Sequence, residues 1–248
     1  MNKKFLCIIP CYNEEYNLPA LFDDIKKNQL ELHADIVFVD DGSSDETKRF
    51  IHNAGYVCLQ HDANRGYGQA VITGFHYARQ SGYEVFAIFP GDHQRQVTDL
   101  LILYQQLCAR NVDVVVGSKF HIYSEKYGPV RRRIGNRIFS RLAKVFWQAP
   151  IEDVLSGFKV YRMSAVEPFL HKLPTQYSFD IVFSLYACRA GLKIIEVPVN
   201  CRYDEHTSKM RSVIWVSIKM LNSLLYHYVF FAFDQKNKKI IRGVYENE

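Results

Sequence analysis

The 248-residue sequence predicts an α/β protein: a mostly parallel central sheet with helices on both faces, and an amphipathic helix added towards the C-terminus. Three observations lead there. Short apolar runs rich in β-branched residues alternate with longer stretches of helical pattern, the order that parallel strands joined by crossover helices require. The hydrophobic share is 48%, enough for a sizeable core and far from a disordered composition. From Ser212 to Phe233 the pattern changes to a broad apolar face beside one polar stripe.

The first strand is expected over 5–10, "FLCIIP", followed by a helix over 16–28. "DIVFVD" at 35–40 is the second strand, and the helix after it, 44–54, is capped by Ser43 or Ser44. "YVCLQ" at 56–60 and "EVFAIFP" at 84–90 bracket a helix over 68–81, and a further helix at 96–110 leads to "VDVVVG" at 112–117. A helix over 131–147 and a last strand, "LKIIEVPV" at 192–199, complete the series. Ligands of such sheets bind beyond the carboxyl ends of the strands. The polar exits "PCYNEE", "DDGSSDE", "GDHQ" and "GSKF" are therefore where a site is expected.

Charge and cysteine usage narrow the class only slightly. Lys and Arg exceed Asp and Glu by 31 − 26 = 5, a mild excess that suits anionic small molecules, a membrane surface or nucleic acid alike. The six cysteines form no C-x-x-C pair and read as reduced residues of a cytosolic protein. The apolar start is broken by Pro10 and Glu14 too early for a signal peptide. No stretch of 18 residues lacks a polar interruption, so a spanning helix is not expected.

Ser212, Lys219, Asn222, Ser223 and His227 make up the polar stripe of the C-terminal segment, opposite Trp215, Tyr226, Phe230 and Phe231. A helix packed on the domain and a helix lying in a membrane interface both carry such a pattern; the basic tail "DQKNKKIIRG" suits anionic lipid. "RRRIGNR" at 131–137 reads by itself as a solvated basic helix face or a nucleic-acid patch, although no aromatic platform or recognised nucleic-acid module accompanies it.

The pairing of "IIPCYNEE" with "VFVDDGSSDET" resembles the inverting family-2 glycosyltransferases of the GT-A nucleotide-sugar fold. The resemblance continues through "NRGYGQAVITGF", "FPGDHQRQ", "GSKF", "VRRRIGNRI", "DVLSGFKVYR", "AGLKIIEVPVNCRY" and "SKM", in order over residues 5–210. Its second half is most similar to the dolichyl- and polyprenyl-phosphate hexose synthases, the dolichol-phosphate mannose synthase group. It implies a catalytic domain over 1–210 and a membrane-interfacial helix and basic tail over 211–248.

Carried onto this sequence, the resemblance implies that Pro10, Tyr12, Glu14, Asp40 and Asp41 bind the donor nucleotide, Asp40 in support. Asp92, with Gln94 beside it, would hold a Mg²⁺ or Mn²⁺ that neutralises the donor pyrophosphate. Lys119, Arg132, Ser208 and Lys209 match positions that hold donor or acceptor phosphate. The family usually has D-x-D where this chain reads Pro90-Gly91-Asp92, and a lysine where this chain has Tyr67. A lipid phosphate acceptor is already anionic; a sugar hydroxyl acceptor would need a general base, for which Asp153 is the candidate, with a capping role as its alternative. The implied function is hexose transfer from a UDP- or GDP-sugar to a polyprenyl phosphate at the cytoplasmic membrane face, peripherally attached, with room for an integral-membrane partner subunit and none for nucleic acid. A soluble or glycan acceptor, and a silent nucleotide-sugar binder, remain the alternatives.

Overall fold

The computed structural model describes residues 4–119, 130–202 and 216–229, with the side chains of 130–133 left out. Its strands are β1 (Phe5–Cys11), β2 (Ala34–Asp40), β3 (Val57–Gln60), β4 (Val85–Ile88), β5 (Val114–Ser118), β6 (Lys159–Arg162) and β7 (Ile194–Pro198). Its helices are α1 (Leu18–Lys27), α2 (Thr47–Asn53), α3 (Tyr67–Gln80), α4 (Val97–Arg110), α5 (Val130–Trp147), the short α6 (Met163–Val166), α7 (Phe179–Arg189) and α8, residues 216–229. The strands form one sheet in the order β3-β2-β1-β4-β6-β5-β7, parallel except for β6, which runs antiparallel to both β4 and β5.

Alternation along the strands sorts side chains to the two faces of the sheet. Phe5, Cys7 and Ile9 of β1 join the layer built with α1 and α4, while Leu6 and Ile8 join that of α3, α5 and α7. Gly74 of α3 lets that helix sit directly on β1, since a Cβ there would come within 2.3 Å of Ile8 Cγ2. The six strands and five helices expected from periodicity all form, with ends shifted by at most a few residues.

β6 and α7, with the single turn of α6 between them, were not expected, and β6 and α7 each hide their signal. β6 is only four residues long, "KVYR", and its buried Lys159 disguises a core strand as a polar segment. α7 is buried continuously from Phe179 to Ala187, so it has no polar face to generate a helical period. Together they bring the segment after residue 150 onto the middle of the sheet.

α8 packs on this second layer through Met220 and Leu224. Tyr186 Oη lies 3.2 Å from His227 Nδ1, and the Arg189 guanidinium sits 4.4 Å from the centre of the Tyr228 ring. Its other side leaves Ile218, Leu221, Leu225, Tyr226 and Val229 exposed. Ser212, Trp215, Phe230, Phe231 and the basic tail lie outside the described residues.

Candidate active site

The exits of β1 and β2 lie side by side, with Cys11 paired to Asp40 in register. The two loops that follow are laced together. Asn13, in the left-handed region at φ 54°, accepts from Ser44 N (2.8 Å) and donates its own N–H to Ser43 Oγ (2.8 Å). Glu14 N–H donates to Thr47 Oγ1 at 2.6 Å, and Glu15 N–H to Asp45 Oδ2 at 3.2 Å. Pro10, Tyr12 and Glu14 lie on the first of these loops; Glu14 is buried, whereas Tyr12 is 38% exposed.

The adjacent carboxylates of β2 have different surroundings. Asp40 is fully buried: Oδ1 accepts from Ser43 N (3.0 Å) and its hydroxyl, and Oδ2 has no hydrogen-bond partner among the described residues. Asp41 is committed on both oxygens. Oδ1 accepts from Arg65 N (2.9 Å) and meets His61 Nδ1 (2.7 Å), and Oδ2 accepts from Gly66 N (2.8 Å). His61 is anchored in turn, its Nε2 lying 2.9 Å from Thr73 Oγ1 on α3. Asp41 therefore holds the 61–66 loop and the start of α3 against the strand exits.

Asp92 stands on the next exit, that of β4. Gly91 is required there: a Cβ would come within 2.6 Å of Cys11 Sγ and 2.9 Å of the Pro10 carbonyl oxygen. This close crossing places Asp92 beside the β1 loop. Asp92 Oδ1 accepts from Gln94 N at 3.1 Å, which shapes the turn, and His93 at φ 53° turns back so that its Nε2 is 3.8 Å from Asp24. The exit of β7 closes over the same loop, with Arg202 N–H donating to the Gln94 carbonyl at 2.9 Å and Asn200 N–H to Asp99 Oδ2 at 3.2 Å. Among the described residues no group of three or more His, Cys, Asp or Glu could hold a metal. Asp92 and Gln94 fit a hard cation that takes its remaining oxygens from a ligand and water, as Mg²⁺ does.

A cavity of about 280 Å³ opens beside this exit, lined by Tyr67, Pro90, Gln94, Lys119, Tyr177 and Asp180, and walled by α5 and α8 through Phe139, Val216 and Met220. Lys119 is at its edge and Asp153 behind it. The Asp153 side chain is fully enclosed: Lys119 donates to Oδ2 from its backbone N at 3.3 Å, with its Nζ at 3.8 Å. The backbone N–H of Asp153 is taken by Glu196 at 2.6 Å. So placed, Asp153 holds Lys119 through Oδ2, while its buried Oδ1 has no hydrogen-bond partner among the described residues. Arg132 lies on α5, its side chain undescribed, and Ser208 and Lys209 are outside the described residues.

Asp180 and Tyr177 are functional candidates outside the motifs, and Lys159 and Tyr67 lie inside motifs that assign them no role. Lys159 Nζ, with no exposure, lies 2.6 Å from Asp180 Oδ1. Burial raises the pKa of the Asp180 carboxyl above its ordinary value, and Lys159 opposes that rise. The signal available in the sequence is reciprocal: a lysine inside apolar "GFKVYR" and an aspartate inside apolar "SFDIVF" each imply the other.

Known proteins share the fold and the sequence pattern of this chain. The model of the family Glycosyl transferase family 2 matches residues 6–170. The chain is 25% identical over 243 residues to UDP-N-acetylglucosamine–dolichyl-phosphate N-acetylglucosaminyltransferase of Methanococcus voltae, covering 90% of this chain and 96% of the relative. It is 26% identical over 206 residues to polyprenol monophosphomannose synthase of Mycolicibacterium smegmatis, covering 79% and 77%. Its fold is that of glucosyl-3-phosphoglycerate synthase from Mycobacterium tuberculosis, solved with Mn²⁺, UDP and glucosyl-3-phosphoglycerate: TM-score 0.70, 16% identity, 91% of this chain and 80% of that one.

Proposed function

The chain belongs to glycosyl transferase family 2, and from that premise we propose that it transfers a hexose from a nucleoside-diphosphate sugar to a polyprenyl phosphate at the cytoplasmic face of a membrane. The observation that carries this reading is where the cavity lies. It sits between the β4 exit loop and two helices, α5 and α8, whose outer faces carry exposed apolar side chains. Ile134, Ile138, Val145 and Phe146 are exposed on α5 beside Arg137, Arg141 and Lys144, and Ile218, Leu221, Leu225 and Val229 on α8. Apolar side chains flanked by cations suit the interface of an anionic bilayer, and a lipid phosphate standing there would reach Lys119 without leaving it. No helix among the described residues is long and apolar enough to cross a membrane, so attachment by these faces, alone or beside an integral-membrane partner subunit, is the mode proposed. The names of relatives acting on dolichyl and polyprenyl phosphates support the acceptor class.

Tyr12 covers the base of a UDP or GDP moiety and Glu14 accepts from base or ribose, while Asp40 and Asp41 keep the surrounding loops in place. Asp92 and Gln94 would hold Mg²⁺ or Mn²⁺, which supplies positive charge to the departing nucleoside diphosphate. Lys119 and Arg132, with Ser208 and Lys209, attract the acceptor phosphate. A phosphate oxygen attacks the anomeric carbon from the side opposite the pyrophosphate, the bond to the leaving oxygen breaks, and the configuration inverts. No proton has to be removed from the acceptor, which agrees with the enclosure of Asp153 behind Lys119.

Two results are expected. With Mn²⁺ and vesicles containing undecaprenyl phosphate, nucleoside diphosphate is released from one UDP- or GDP-hexose, and the product is a sugar phosphate of inverted anomeric configuration. Undecaprenol without its phosphate supports no release. Transfer to a soluble glycan instead would overturn the lipid reading, and failure to release nucleotide with any acceptor would leave a binder. In the second, Leu225→Asp, at a 60% exposed position, folds normally but binds anionic vesicles about tenfold more weakly or worse, because a leucine side chain contributes about 1.5–3 kcal/mol when buried. Unchanged vesicle binding would show that α8 does not face lipid.

A further inference from the structure

We propose that Tyr67, Tyr177 and Asp180 form the subsite that recognises the transferred hexose itself, an inference that rests on the donor-transfer reading above. All three line the cavity beside Asp92. At about 280 Å³ that cavity is near the lower edge of small-molecule sites, about 300–1,000 Å³, which suits one pyranose ring.

The chemistry of the lining matches a sugar. A pyranose presents C–H groups on its faces and hydroxyls around its edge. The rings of Tyr67 and Tyr177 lie within 8° of parallel, with centroids 6.4 Å apart, and offer flat apolar surface to the C–H face. Asp180 adds the polar partner. Its Oδ1 is held by Lys159 at 2.6 Å, while Oδ2 faces Gly157 and Tyr67. A carboxylate fixed in this way accepts hydrogen bonds from hydroxyls, and hydrogen bonds to a charged group are among the stronger ones.

Gly157 keeps the subsite open. A Cβ there would come within 2.5 Å of Tyr67 Oη and 3.5 Å of Asp180 Oδ2, so any side chain would push the hydroxyl and the carboxylate apart. The Tyr67 hydroxyl is close enough to both Asp180 and Asp92 for each to raise its pKa, behind the larger effect of its burial. Because Pro90 and Gln94 on either side of Asp92, Tyr67 and Asp180 all line the one cavity, a sugar bound through its pyrophosphate at Asp92 would extend past Tyr67 with its far edge towards Asp180. A purely structural role would account for the buried Lys159–Asp180 pair, but not for a carboxylate that lines the same cavity as two parallel rings.

Calorimetry in the presence of Mn²⁺ tests this, comparing UDP and GDP with their glucose, N-acetylglucosamine and mannose conjugates. In Asp180→Asn and in Tyr177→Leu, affinity for the preferred nucleotide sugar falls about tenfold, the loss of one such hydrogen bond or ring contact, while affinity for the bare nucleoside diphosphate is unchanged. Tyr177→Phe, which keeps the ring, retains wild-type affinity. Tyr177 is 47% exposed, so its variants decide the matter if Asp180→Asn does not fold. Equal losses for the nucleotide and its sugar conjugate, or no loss for either, would overturn the subsite. If neither UDP nor GDP binds the wild type, the donor-transfer reading fails first and takes the subsite with it.

Discussion

Asp92→Asn removes metal-dependent donor binding and lowers kcat/KM by about a thousandfold, the scale of losing one charge-stabilising group from a transition state. The substitution is informative because the turn survives it. Asp92 Oδ1 accepts a hydrogen bond from Gln94 N at 3.1 Å, and an asparagine carbonyl can accept the same bond. What is lost is the hard anionic oxygen. Pro90 precedes it where a second carboxylate would stand, and His93 is turned towards Asp24. The expected calorimetric pattern follows from that poverty of ligands: Mn²⁺ binds the free protein weakly, binds tightly together with nucleoside diphosphate, and does neither in the Asn variant. Intact metal dependence in Asp92→Asn would refute the assignment. Tight binding of Mn²⁺ without nucleotide would reveal a second protein ligand.

How much of this could be read from sequence depended on whether a residue's role was local. The strand exits were legible because a polar, acid-rich loop after a β-branched run announces itself, as "VFVDDGSSDE" does, and β1, β2 and β4 bring three such exits together in register. The parallel sheet was legible for the same reason. What local pattern could not supply was the partnership across the second half of the chain. Lys159 and Asp180 are 21 residues apart and meet only because β6 inserts antiparallel between β4 and β5 while α7 packs beneath. Asp153 shows the converse. The sequence offered it as a base for a hydroxyl acceptor or as a cap, and its enclosure beside Lys119 and Glu196 arises from β5 and β7, which no local spacing specifies.

Lys159→Met destabilises the protein by about 3–5 kcal/mol, the usual consequence of stranding one partner of a buried ion pair. Lys159 has no exposure and Asp180 is 5% exposed, so neither charge can turn to water. The deficit should depend on pH in a definite sense. Burial already raises the Asp180 pKa, and Lys159 is the largest influence that lowers it; removing the lysine therefore raises it further. A carboxyl whose folded pKa lies above its unfolded value is best tolerated below the unfolded value, about 3.9, and loses that stability as pH rises through the folded value. Urea unfolding of Lys159→Met should thus approach that of wild type in acid and diverge from it towards neutrality. The double variant Lys159→Met/Asp180→Leu, which buries no charge, should recover most of the loss. A deficit independent of pH would mean that the cost is one of packing rather than charge. The double variant also separates structure from function: its stability returns, but its affinity for nucleotide sugar relative to nucleoside diphosphate does not, because the carboxylate that faces the cavity is gone.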